Sequence, residues 1–199
     1  EGISVHNGFT PPRHPNILEE DVREVGDAVA LVVADTEDLA MEAMDKIKVE
    51  YEQLESVYTI DEAMKPGAPQ LYKEFPGNIA PYKQNLHFEA GDSDKGFEEA
   101  DVIVEMDSEL TSGQNPLPLE PPTTIAWWDK GVVTFIASAA APAYCHQNVA
   151  SSLNLPNENV RLIVGAVGGS FGSKLYSGNV HCLVFTALMA RFANCPVLY

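Results

Sequence analysis

The residues whose types and spacing offer chemistry lie in Gly165-Ala-Val-Gly-Gly-Ser-Phe-Gly-Ser-Lys174, where glycine takes four of the first eight positions. Each glycine loses more backbone entropy on folding than any other residue, so so dense a cluster needs a reason to avoid Cβ atoms. Three are open: positive φ angles, close packing of two elements, or close approach of main-chain N–H groups to an anionic ligand near a helix start. A Walker loop requires Gly-Lys followed by Ser or Thr, whereas Lys174 follows Ser173 and precedes Leu175. The spacing is not G-x-G-x-x-G either. The stretch is a cofactor cradle of another kind or a structural turn.

Glu120 is the second candidate. It sits in Gln114-Asn-Pro-Leu-Pro-Leu-Glu-Pro-Pro122, where prolines on both sides stiffen an extended backbone just ahead of a strand. A charge held so rigidly either pairs with a buried partner or lines a site, unless the segment is a plain proline-rich connection. Cys145-His146 and His181-Cys182 invite a metal reading, but adjacent residues of a helix point about 100° apart, so each pair aims only one member at a shared ion. Buried thiols and ordinary histidines are the simpler reading, and no side-chain metal site is expected. Glu19-Glu20, Glu98-Glu99 and Asp92 with Asp94 read as solvated acidic faces.

The elements that must position these residues follow from periodicity. Val160–Val164 is a β-branched strand running into the glycine loop, and Val180, Leu183, Val184, Ala187, Leu188 and Phe192 recur at helical spacing beyond it. Ahead of these, 123–128 and 132–137 read as a hairpin turning at Asp129-Lys-Gly131, and Pro142 to Leu153 as a helix with proline in its first turn. Nearer the start, Ala28–Ala34 is a continuous apolar run, and Asp35-Thr36 caps a helix whose stripe is Leu39, Ala40, Ala43, Met44 and Ile47. Lys48–Leu54 then alternates as a half-buried strand. The pattern predicts a β-α-β unit with a core through Val29, Leu31, Leu39, Ile47 and Val49. Residues 1–21 read as a loop-rich lead-in and 58–81 as a proline-rich linker between two domains. Leu86–Ala90 and Val102–Met106 read as strands around a short acidic helix at 93–100.

A chain of 199 residues carries one sizeable core or two small ones, and its formal net charge of −17 sets it against nucleic acid and anionic membrane surfaces as partners. Three cysteines without a C-x-x-C spacing argue against a disulfide framework and against iron–sulfur ligation within the chain, and suit a reducing cytoplasm. No run reaches membrane-spanning length. The start lacks a methionine and the end breaks off in a new strand-like run at Cys195–Tyr199, so the expectation is part of something longer.

Together these pieces resemble the molybdenum hydroxylases, the aldehyde oxidase and xanthine dehydrogenase family. Val22–Ala34 with Lys48–Leu54 is similar to that family's a/b hammerhead domain. Gly91-Asp92, Phe97, Ala100-Asp101, Glu120-Pro121, Leu155-Pro156, Val160 and Gly168–Lys174 are similar to the start of its molybdopterin-binding region. The resemblance implies an α+β fold: a small β-α-β hammerhead-like domain at 1–78, incomplete at its N-terminal side, then a mixed α/β segment of a molybdopterin-binding domain at 79–199, incomplete at its C-terminal side. It also implies that Gly168, Gly169, Ser170, Phe171 and Gly172 border a molybdenum–molybdopterin cofactor, with the Gly172 N–H near an oxygen ligand of the metal. Phe171, Leu175 and Glu120 become candidates for the substrate pocket.

The family reaction places a water-derived oxygen on an aldehyde or heteroaromatic carbon, and its base is a glutamate far downstream. No catalytic residue is therefore expected within this chain. The partners implied are the remainder of the enzyme, with iron–sulfur clusters and in some members FAD on other domains or subunits, and a small-molecule substrate. Ser170 and Ser173 replace common glycines, and Pro122 stands where histidine is frequent. Leu175 stands where purine-oxidising relatives carry an acid, which leaves a purine ring without a hydrogen-bond partner and tilts the expectation toward aldehydes or apolar aromatics. The competing reading is a non-catalytic scaffold module that keeps the fold without molybdenum.

Overall fold

Lys130 and Gly131 both take positive φ, 49° and 81°, as a two-residue hairpin turn that follows strand twist requires. They join β1 (Thr124–Asp129) to β2 (Val132–Ala137) in antiparallel register, with Ala126 opposite Phe135 and Asp129 opposite Val132. The computed structural model describes residues 18, 21–73, 75–79, 90–108, 116–175 and 177–199. From β2 the chain passes through α4 (Pro142–Ser152) to β3 (Val160–Val164), which lies parallel to β2, and then through the glycine loop into α5 (Ser177–Ala193). A short β4 (Val197–Leu198) closes the other edge against β1, giving a mixed sheet in the order β3-β2-β1-β4. The fold is α+β, as expected.

The core lies between this sheet and α4 and α5. Val133, Phe135 and Ala137 project from one face of β2 and are buried with Ala126 of β1. Val180, Leu183, Val184 and Ala187 form the matching stripe of α5, and Cys145, Val149 and Ala150 that of α4. The Trp128 indole N–H donates to the Ala187 carbonyl at 2.7 Å, fixing α5 along β1, and Arg191 lies over the same ring.

The N-terminal half departs from expectation. The helix of the anticipated β-α-β unit forms as α1 (Glu37–Asp45), with the Thr36 hydroxyl accepting from the Leu39 N–H at 3.3 Å. Among the described residues, however, neither 28–34 nor 48–54 is hydrogen-bonded into a strand, and 102–106 is not either. Strand-like patterning fixes which side chains alternate; a strand also needs a neighbour to complete its ladder. With no sheet beneath α1 among the described residues, Leu39, Met44, Ile47 and Val49 are exposed instead of forming a core. Leu31 and Val33 find cover elsewhere, packed against the main core.

The proline-rich stretch is more ordered than a linker. After α2 (Ile60–Ala63), the Asn78 amide donates to the carbonyls of Ala63 and Pro69 at 2.9 and 3.0 Å, and its oxygen accepts from the Leu71 N–H at 2.8 Å. Arg23 donates to the Leu71 carbonyl at 2.8 Å and covers the Tyr72 ring, while Phe75 is buried beside them. The short helix α3 (Ser93–Glu98) appears where expected, capped by Asp92. Of the lead-in expected at 1–21 all but residues 18 and 21, and of the strand expected at Leu86–Ala90 all but Ala90, lie outside the described residues.

Candidate functional site

The glycine loop begins where β3 ends, and its shape resolves the open question about its composition. Two of the three possible reasons act at once. A Cβ on Gly168 would stand 2.6 Å from Glu120 Cβ, so this glycine exists for close approach, whereas Gly169 and Gly172 hold φ of +98° and +97°. Phe171 also takes positive φ, 50°, which throws its ring outward and leaves it 77% exposed.

Glu120 is the loop's anchor. Its Oε2 accepts from the Lys174 ammonium at 2.7 Å, the Gly168 N–H at 2.6 Å and the Ser138 hydroxyl at 2.9 Å. The proline-braced segment thus holds a charge for a buried partner: Lys174 is fully buried and the Glu120 side chain only partly so. The Lys174 ammonium above all, then the Gly168 N–H and the Ser138 hydroxyl, bring the Glu120 carboxyl down to about 2. Pro118 of the same segment lies beside Gly169, 3.4 Å from where its Cβ would stand.

Within the loop, the Ser173 hydroxyl and N–H both donate to the Ser170 carbonyl, at 2.7 and 2.9 Å, and the Lys174 N–H donates to the Ser170 hydroxyl at 3.3 Å. The serines at 170 and 173 therefore brace the turn. Leu175 is half-buried, its N–H on the Gly172 carbonyl at 3.2 Å. The N–H groups of Gly169, Ser170, Phe171 and Gly172 have no acceptor among the described residues. Successive free donors beside an exposed ring, with open space where a Gly172 Cβ would project, suit an oxygen-rich, negatively charged ligand.

The cysteine–histidine pairs are spent on structure. Cys145 Sγ accepts from the Asn179 amide at 3.6 Å, the His146 ring meets the Val160 carbonyl at 2.9 Å, and His181 stacks on Phe185. Burial pushes the Cys145 and Cys182 thiols up. Among the described residues no three His, Cys, Asp or Glu side chains gather as an ion-holding group. Sequence reasoning brought Gly168–Gly172 and Glu120 forward but missed Lys174 and Ser138 as partners. The one signal available was a lone lysine between a glycine loop and an apolar helix.

Comparison with known proteins adds the following. Residues 71–199 match the molybdopterin cofactor-binding domain, and residues 4–55 match the a/b hammerhead domain of aldehyde oxidase and xanthine dehydrogenase. The large molybdopterin subunit of nicotinate dehydrogenase from Eubacterium barkeri is 37% identical over 174 residues, covering 86% of this chain and 40% of that protein. A protein named as a probable hypoxanthine oxidase in Escherichia coli O157:H7 is 33% identical over 195 residues, covering 82% of this chain and 20% of that protein. The aldehyde oxidoreductase of Desulfovibrio gigas superposes with a TM-score of 0.75 at 27% identity, over 99% of this chain and 22% of its own. The chain thus spans well under half the length of each.

Proposed function

The chain belongs to the aldehyde oxidase and xanthine dehydrogenase family of molybdenum hydroxylases, and from that premise we propose that Gly168–Gly172 form the wall of an active site that receives the molybdenum–molybdopterin cofactor. The observation that carries this reading is the run of N–H groups from Gly169 to Gly172 without an acceptor among the described residues, in a loop whose ends are fastened. The residues fit the group: donors without competing partners among the described residues, and open space at Gly172 where a Cβ would stand. When bound, that cofactor supplies a two-electron oxidation that places a water-derived oxygen on an aldehyde or heteroaromatic carbon.

The chain's own part is to bind and orient. The N–H groups of 169–172 hold oxygen atoms of the cofactor, and the exposed Phe171 ring offers a face for a flat substrate to rest on. The half-buried Leu175 gives that pocket an apolar side. Glu120, with one oxygen committed to three donors, supports the loop, so it serves the substrate pocket by holding the wall that carries it. The catalytic base and the remaining cofactor contacts come from the rest of the enzyme, with iron–sulfur clusters and FAD on other domains or subunits. A division into domains at 1–78 and 79–199 belongs to the same proposal; the two matched spans, 4–55 and 71–199, support two units, with the second starting ahead of that boundary. No described helix is long and apolar enough to cross a membrane, and a cytoplasmic enzyme is the reading its free cysteines support. These relatives do not favour the scaffold alternative.

Gly172→Val in the complete enzyme tests the site. The chain's own atoms leave open space there, but a β-branched residue at φ +97° is strained by about 1–3 kcal/mol and its branches enter the ligand's side of the loop. The expected outcome is a folded protein with molybdenum reduced or absent and a rate lowered roughly a hundredfold or more. Parent molybdenum content and parent turnover would make the loop a structural turn.

Substrate class divides the observations, because Leu175 favours aldehydes or apolar aromatics while the nicotinate and hypoxanthine enzymes among the relatives act on nitrogen heterocycles. Comparing kcat/KM for benzaldehyde, nicotinate and hypoxanthine decides. The expected order puts hypoxanthine last, and a purine preference would overturn the argument from Leu175.

A further inference from the structure

Separate parts of the chain meet on one atom. Oε2 of Glu120 takes the N–H of Gly168 and the ammonium of Lys174, which are the first and last residues of the turn, so a single oxygen holds both of its ends. The Ser138 hydroxyl, just past β2, bonds the same oxygen and ties it to the sheet. Two main-chain bonds complete the frame: the Glu120 N–H donates to the Gly168 carbonyl at 3.3 Å, and the Ala140 N–H to the Lys174 carbonyl at 3.1 Å. Between those ends the N–H groups of 169–172 have no partner among the described residues.

Charge and length both matter in this frame. A fully buried ammonium without its carboxylate is strongly destabilising, so Lys174 and Glu120 act as a unit. Gly168 shows how close the fit is, since even a methyl group there would meet Glu120 Cβ at 2.6 Å. Lys174 is enclosed, and Oε2 of Glu120 is committed to three donors, so both groups act on the site through the loop they hold.

We propose that Glu120 and Lys174 are positioning residues, a clasp that holds the two ends of the turn together so that the intervening N–H groups meet the oxygen atoms of the bound cofactor without reorganising. The inference rests on the cofactor reading above. Its consequence is that reach, and not charge alone, governs the site. Glu120→Asp keeps the carboxylate but withdraws it by about 1.5 Å, one carbon–carbon bond. Displacement on that scale costs about a hundredfold in rate when it falls on preorganised groups.

The experiment uses the complete enzyme with Glu120→Asp, Glu120→Gln and Lys174→Met. Molybdenum content, the paramagnetic resonance line shape of the partly reduced centre, kcat and KM separately, and amide exchange at Gly168, Lys174 and 133–137 are measured together. For Glu120→Asp the expected result is faster exchange at Gly168 and Lys174, unchanged exchange at 133–137, an altered line shape, and kcat down about a hundredfold with KM moved far less. If Lys174→Met does not fold, Glu120→Asp still decides. A variant that only melts earlier, with parent line shape and parent kcat, reduces the pair to a structural brace and overturns the proposal. Should the parent enzyme prove free of molybdenum, the cofactor reading falls on its own, and unchanged exchange at Gly168 and Lys174 would independently remove the clasp.

Discussion

Two regions of the chain carry the same strand–helix–strand pattern, and only one of them becomes a sheet. In 132–164, β2 and β3 pair in parallel with α4 between them, Val133 lies opposite Val160, and both are buried. In 28–54, α1 forms with its cap in place, but no ladder joins the flanking runs among the described residues and the apolar stripe stays exposed. Capping does not account for it: α1 has the Thr36 side-chain cap, whereas Ala141 ahead of α4 offers none and that helix starts on Pro142. The difference lies in what surrounds them. The first unit has a hairpin strand on one side and α5 across its face, so that every apolar side chain on that face has cover. A local pattern specifies an element; neighbours decide whether it is buried.

The largest expected effect breaks the well-packed region. Phe135 is fully buried at the centre of β2 against the helices. Phe135→Ala removes the ring and leaves a cavity, which should cost about 3–5 kcal/mol, measured by urea unfolding of the 199-residue chain. A loss below about 1 kcal/mol, as at an ordinary surface position, would show that the core described here does not carry the fold.

The same contrast explains what could be read in advance. The hairpin was legible because Asp-Lys-Gly between two apolar runs prescribes its own turn, and α5 because its stripe is long. The strand-like run at Cys195–Tyr199 was legible as well, but its pairing with β1 and that of β2 with β3 were not, since partners distant in sequence leave no mark in a local pattern. At the site, the glycines and the braced glutamate stood out by composition. Their connection did not, because Lys174 and Glu120 are 54 positions apart and a buried lysine looks like any other in sequence. Ser138 carried no signal at all. The proline-rich stretch misled for the opposite reason: Asn78 organises it through its side chain, and composition registers only the prolines.

An intermediate effect compares one carboxylate from each region under acid. Glu120 is lowered to about 2 from an ordinary 4.5 by Lys174, Gly168 and Ser138, whereas Glu62 at the start of α2 is lowered chiefly by the Tyr58 N–H. A folded value below the unfolded one means the unfolded chain binds more protons in between, so stability is complete above pH 4.5 and drains as pH falls toward 2. Melting temperature followed through that window should drop less steeply in Glu120→Gln than in the parent, from a lower starting point. Glu62→Gln should track the parent closely, because its partners are exposed backbone groups at a short helix. An equal flattening by both variants would erase the distinction between the regions.

The smallest expected effect is the sharpest test of the comparison. Leu39 heads the stripe of α1, the position that periodicity marks as core, yet it is 49% exposed. Leucine and alanine both favour helix, so Leu39→Ala changes helix propensity by only a few tenths of a kcal/mol, and the Thr36 cap, which bonds the main-chain N–H of residue 39, is untouched. What remains is the apolar surface the side chain covers, and a half-exposed side chain backed by no sheet among the described residues leaves little of it to lose. The expected change in unfolding free energy is within about 0.5 kcal/mol, the range of an ordinary surface substitution. A loss of about 2 kcal/mol or more would be the signature of a buried leucine. That result would mean that the runs at 28–34 and 48–54 do close over α1 in solution, and the two strand–helix–strand units would then differ in degree and not in kind.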